Sequence, residues 1–268
     1  MTIINSQLGG TKPSGTKQIT TNGTHDVAGY ANADVQVPTT APAHYVEKAV
    51  DANGTLINGT HVIDLTGVTD VAGSVLSYAY TGAIFPENTI ISLNPLTNIS
   101  GIYAFQNTFA GCSRITGVNL SSLITISGTN ACQQMFYSGI NIASINLSSL
   151  TTISGTQACK QMFYGCKTLT SVTFDSLSIL TGANALQQMF ANCSALISLS
   201  FPALKSTSFD SQTNQFNSIL QGVTGCTIHF PSNLDPQGGS TVISSLSGYP
   251  NFGGTNTVLA FDLPATES

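Results

Sequence analysis

Charge is what this chain has least of. Only 7% of its 268 residues are Asp, Glu, Lys or Arg, against roughly a quarter in ordinary soluble domains. Lys and Arg together number seven, and the formal net charge is −5. Nucleic-acid binding needs Lys or Arg against phosphates. The sequence holds no basic patch, so no nucleic-acid partner is expected. Solubility falls instead to Ser, Thr, Asn and Gln. No apolar run reaches the roughly 20 residues of a membrane span, so no membrane insertion is expected. The opening stretch MTIINSQLGGTKPSG has neither a basic start nor an apolar core, and no signal peptide is read there.

Catalytic groups are scarce too. The four histidines, at 25, 44, 61 and 229, lie in four different contexts. Asp175 and Asp210 are the clear acids in the middle of the chain, and a glycosidase would need two carboxylates across a cleft. Gly-x-Ser-x-Gly does not occur. No Cys-x-x-Cys pair occurs, so zinc is not expected. The composition therefore points to a protein that is not an enzyme, with no metal and no cofactor.

What the chain has in quantity is repetition. Four phrases, YAFQNTFAGC from Tyr103, NACQQMFYSG from Asn130, QACKQMFYGC from Gln157 and NALQQMFANC from Asn184, follow one another at a fixed stride. Ala104, Ala131, Ala158 and Ala185 are 27 residues apart, as are Phe109, Phe136, Phe163 and Phe190. A fixed period in the 20–50 range is the mark of a solenoid, in which each unit stacks on its neighbours.

Each unit has two halves. Gly117-Val118-Asn119-Leu120 and its equivalents ending at Leu147, Phe174 and Phe201 alternate apolar and polar residues, the pattern of a half-buried strand. In the other half, Ala131, Met135 and Phe136 fall at i, i+4 and i+5, which reads as one face of a short helix. Ser127-Gly128-Thr129 and Ser154-Gly155-Thr156 read as the turn and cap before each helix. The expected fold is an α/β solenoid, a leucine-rich-repeat array of about 27-residue strand–helix units. Three parts are expected: residues 1–45 as a β-rich attachment segment and linker, 46–230 as the solenoid, and 231–268 as a β cap and tail.

The phrases QMFYGCKTLTSVTF (Gln161 to Phe174) and QMFANCSALISLSF (Gln188 to Phe201) resemble the BspA-like leucine-rich-repeat family of bacterial and phage surface proteins. The segment ITTNGTHDVAGYANADVQV, from Ile19 to Val37, resembles a short module that recurs in tail and structural proteins of phages. Ile19, Thr21, Val35 and Val37 alternate around Asn22-Gly23, which suggests small strands and a hairpin-type turn. These resemblances imply a virion component, such as a tail-fibre, baseplate or head-fibre protein. Its N-terminal segment would dock to other virion proteins, and its repeats would face a host glycan or protein. They imply location in the extracellular particle. Fibre-type virion proteins are commonly trimers, so a homo-oligomer, first a homotrimer, is expected. A bacterial cell-surface BspA-like adhesin is the alternative.

The six cysteines fall into repeat columns. Cys112, Cys166 and Cys193 share a slot with Gly139, and Cys132 and Cys159 share one with Phe105 and Leu186. A residue interchangeable with Gly, Phe or Leu is packing filler, so buried free thiols are expected. The candidate binding surface is the outward column of the strands, Asn119, Asn146, Thr173, Ser200 and His229. Beside it run Gly117, Ser144, Ser171, Ser198 and Thr227. With rungs about 4.8 Å apart, this is a polar strip of about 20–25 Å. Tyr137 and Tyr164 form a further column that can reach the surface.

Overall fold

A computed structural model describes residues 70–72, 76–78, 80–82, 85, 88–93, 96–205, 214–234 and 252–266. It also gives the backbone of short strands at 3–4, 18–19, 24–26, 34–36, 44–45, 63–64 and 241–242. The repeats form a β-solenoid, and its coils have three walls.

The first wall is a parallel sheet in two ladders. Thr89–Ser92, Ile115–Asn119 and Ser144–Asn146 make one. Ser171–Thr173, Ser198–Ser200, Thr227–Pro231 and Val258–Leu263 make the other. Adjacent rungs pair in the register of the repeat, Val118 with Ile145 and Leu199 with Ile228. Val118, Val172, Leu199 and Ile228 point into the core, as the period-two alternation requires. The second wall is a narrower parallel sheet of two-residue strands: Asp70–Val71, Asn98–Ile99, Thr125–Ile126, Thr152–Ile153 and Ile179–Leu180.

The third wall is where the expected helix does not form. Between Asn130 and Gly139 the chain makes a run of overlapping β-turns. The amides of Ala131, Gln133, Met135, Tyr137 and Gly139 donate to carbonyls three residues back at 3.0–3.2 Å. The alternate amides, of Asn130, Cys132, Gln134, Phe136 and Ser138, donate to the next coil's Thr156, Ala158, Lys160, Met162 and Tyr164 at 2.7–2.9 Å. Every fourth residue is left-handed: Asn130, Gln134 and Ser138 at φ 52–57°, and Gln157, Gln161 and Gly165 one coil on. Single residues visit that region but helices do not, so no α-helix can pass through these positions. Among the described residues the one helical element is the 3-10 turn Ser232–Leu234.

Geometry explains the choice. Both sheets advance by one strand spacing per coil, about 4.8 Å, whereas packed helices sit 8–10 Å apart. A third wall of helices would splay the coils. A wall of turns has the thickness of a strand rung and donates its spare amides along the stack. The phenylalanine column keeps that step. Ring centroids from Phe109 to Phe136, Phe163 and Phe190 are 5.2, 5.3 and 5.8 Å apart, near parallel. A second ladder runs Phe174, Phe201, Phe230 and Phe261 at 4.8–5.8 Å. One continuous core results, from Val71 to Phe261.

The Ser-Gly-Thr triplets cap no helix. They turn the corner between the second sheet and the turn wall, where Gly128, Gly155 and Gly182 stack on one another. A Cβ at Gly155 would lie 2.2 Å from the Gly128 carbonyl oxygen.

The Ile63–Asp64 strand pairs antiparallel with His44–Tyr45, and among the described residues the first parallel rung of the second sheet is Asp70–Val71. At the other end Val258–Leu263 is a further parallel rung on Thr227–Pro231, and Thr241–Val242 pairs antiparallel with it. That reversal blunts an edge that would otherwise template further pairing. In the N-terminal segment, Thr24–Asp26 pairs antiparallel with Asp34–Gln36. The expected turn at Asn22-Gly23 and the linker at 39–43 lie outside the described residues.

All six cysteines are free and buried. Burial pushes the Cys159 thiol up to about 12, and burial followed by the neighbouring Cys159 raises Cys132 well above its usual value. A thiol whose pKa is higher folded than unfolded stabilises the fold fully below the unfolded value, near 9, and loses that contribution as pH rises toward 12. Stability should therefore fall above pH 9, by up to about 1.4 kcal/mol per pH unit for each such thiol. Denaturation without reductant should release close to six titratable thiols. A Cys132–Cys159 disulfide in non-reducing peptide maps would contradict this arrangement.

Candidate functional site

The strand-face strip is present, but it is divided and partly committed to the fold. Asn119 and Asn146 are register partners in the first ladder, and Thr173, Ser200 and His229 follow one another in the second. The Asn119 side-chain oxygen accepts from the Ser121 amide at 3.0 Å, and that of Asn146 from the Ser148 amide at 3.1 Å. These are local Asx turns that end the strands. Thr173 is exposed and Ser200 half-buried. His229 Nδ1 lies 2.9 Å from the Asp262 carboxylate. Asp262 comes from the last parallel strand, and the sequence reading, which took that stretch as a cap, left it out. Gly117, Ser144, Ser171, Ser198 and Thr227 also align as rungs within the two ladders. The strip offers small hydroxyls, two amides tied down at their oxygens and one His–Asp hydrogen bond.

The outer side of the turn wall is more elaborate. Its burial alternates in pairs: Ala131-Cys132 and Met135-Phe136 inward, Gln133-Gln134 and Tyr137-Ser138 outward. The outward pairs link coil to coil. Gln134 Nε2 donates to Gln161 Oε1 and Gln161 Nε2 to Gln188 Oε1, each at 2.8 Å, and Gln188 donates on to Gln221. Gln106 and Gln157 donate likewise to Gln133 and Gln187. This amide ladder was not anticipated. Its only sequence signal is a glutamine recurring with the 27-residue step.

Tyr137 and Tyr164 stack with centroids 4.6 Å apart and planes 7° from parallel. Desolvation first, and then the neighbouring Tyr164, raise the Tyr137 hydroxyl above its ordinary value. Asn192 Nδ2 donates to the Tyr164 hydroxyl oxygen. The stack borders an open groove of about 490 Å³ at the corner between the turn wall and the first sheet. One side is the column Ser138, Gly165 and Asn192; the other is Ile140, Lys167 and Ser194. With Gly222 on the next coil, the chain thus bends four successive coils around one concavity, with Tyr164 as its aromatic wall.

Among the described residues no group of three or more His, Cys, Asp or Glu is placed to hold a metal ion. No helix there is long and apolar enough to cross a membrane. The architecture defines a β-solenoid with two parallel sheets and one wall of stacked turns. Comparison with family models, with curated proteins and with solved structures finds no match to this chain.

Proposed function

We propose that this protein is a non-enzymatic virion component, a tail-fibre, baseplate or head-fibre part. Residues 1–45 attach it to other virion proteins, and its solenoid presents a recognition surface to the host. The observation that carries the reading is the continuous internal core from Val71 to Phe261. A stack that is stable through its own interior leaves the outer sides of its walls for contact, and those sides are nearly uncharged, with exposed isoleucines such as Ile90, Ile179 and Ile197 set among polar residues. The N-terminal module and the repeat phrases support the virion setting by their resemblance to phage and BspA-like proteins. The strand-face strip, Asn119, Asn146, Thr173, Ser200 and His229, is one surface available for a glycan or a protein edge.

Antibody labelling and mass spectrometry of phage particles purified from the carrier of this gene test the reading. The protein should copurify with particles, and a chain starting at His44 should fold but lose incorporation. Recovery in the cell-wall fraction alone would replace the virion reading with the adhesin. Equal incorporation of full-length and shortened chains would remove the attachment role from residues 1–45.

A further inference from the structure

We propose that the groove beside Tyr164 binds an acidic glycan, a pyranose chain carrying a carboxylate or a phosphate. The inference rests on the reading of the solenoid as a recognition surface and names what one part of that surface takes. The groove crosses four coils, from Ser138 through Gly165 and Asn192 to Gly222, a run of three coil steps or roughly 14 Å. It is long and open, as an extended chain requires. Tyr164 supplies the apolar wall against which the C–H face of a sugar ring can rest. Its ring is held by the Tyr137 stack on one side and by the Asn192 amide at its hydroxyl, so little rotamer freedom is lost on binding. Ser138, Ser194 and Asn192 bring hydroxyls and an amide, groups that both donate and accept and so match sugar hydroxyls.

The charge selects among sugars. Lys167 is one of only seven Lys and Arg in the chain, and it is exposed on the groove wall. Among the described residues no carboxylate lines the groove and Lys167 makes no ion pair. A neutral glycan would leave this ammonium idle, whereas a carboxylate or phosphate on the sugar completes it. An exposed ammonium is a compact point charge that serves either anion.

Calorimetric titration of the full-length protein tests this with three probes: a hyaluronan tetrasaccharide, a glucosylated glycerol-phosphate teichoic-acid fragment and neutral maltotetraose. At least one acidic probe should bind tenfold or more tightly than maltotetraose. Hyaluronan alone would assign the anion as carboxylate, and the teichoic fragment alone as phosphate. Lys167→Gln should remove the preference. Tyr164→Ala should abolish binding, and Tyr164→Phe, which keeps the ring, should stay within about threefold of the parent. Thr181→Ala, exposed at the corner between the second sheet and the turn wall, should change nothing. Lys167 is exposed, so its variant reports on the groove even where Tyr164→Ala does not fold. Failure of both acidic probes to bind, equal affinity for maltotetraose, or an unchanged Lys167→Gln would overturn the proposal. None of these outcomes bears on particle association, which tests the virion reading separately.

Discussion

Phe163→Ala should destabilise the protein by about 3–5 kcal/mol, the range for truncating a fully buried phenylalanine. Phe163 has no exposed surface, and its ring lies between Phe136 at 5.3 Å and Phe190 at 5.8 Å. The flanking rings sit on backbones fixed by coil-to-coil hydrogen bonds, so they cannot close the gap. The cavity also falls in the middle of the array. In a one-dimensional stack each coil is stabilised by its neighbours, so weakening a central interface should separate the melting of the two ends. The expected result is a denaturant transition that shifts to lower concentration and broadens, with a fall in Tm of roughly 10 °C. An unchanged Tm would mean that Phe163 is not in the core.

Gly155→Ala should cost at least about 3 kcal/mol, at or beyond the upper end for overpacking. The added Cβ would lie 2.2 Å from the Gly128 carbonyl oxygen, 2.7 Å from its carbon and 2.7 Å from the Ser127 oxygen. All three are backbone atoms of the preceding coil, so no side chain can rotate away. Relief requires the two coils to part and their hydrogen bonds to lengthen. Gly165→Ala is the control. Gly165 has φ 73°, but the nearest atoms to its added Cβ are 3.7 Å away, so only the left-handed backbone penalty applies, about 1–2 kcal/mol. Equal melting of the two variants would show that the glycine corner is not closely stacked.

The contrast between these glycines marks what the sequence makes legible. The 27-residue step, the core columns of Val118, Met135 and Phe136, and the packing role of the cysteines follow directly from residue types that recur in register. The wall between Asn130 and Gly139 does not. A stack of turns buries residues two in and two out, a period of 4, and a helix buries them with a period of 3.6. Over ten residues those patterns nearly coincide, so Ala131, Met135 and Phe136 satisfy both. The discriminating signal lies in the left-handed positions. Asn130, Gln134 and Ser138 recur every fourth position and are left-handed. Asn tolerates that conformation, but glutamine gives no such hint.

The candidate surface was legible to a similar degree. The columns of Asn119, Thr173 and their equivalents follow from strand alternation alone. Their Asx bonds to Ser121 and Ser148 are local, two residues on, whereas the pairing of His229 with Asp262 and the groove around Lys167 depend on how neighbouring coils meet. Asp262 follows His229 by 33 residues, outside the 27-residue step, because the last coils carry extra residues. No period in the sequence brings those two side chains together.

Far-UV circular dichroism of the full-length protein tests the central claim most directly. Four ten-residue phrases separate the two accounts: as stacked turns they add no helical signal, and as strand–helix units they add about 40 helical residues. The β-solenoid predicts a single β-type minimum near 218 nm with almost no helical component. A double minimum at 208 and 222 nm of the strength expected for those helices would contradict it.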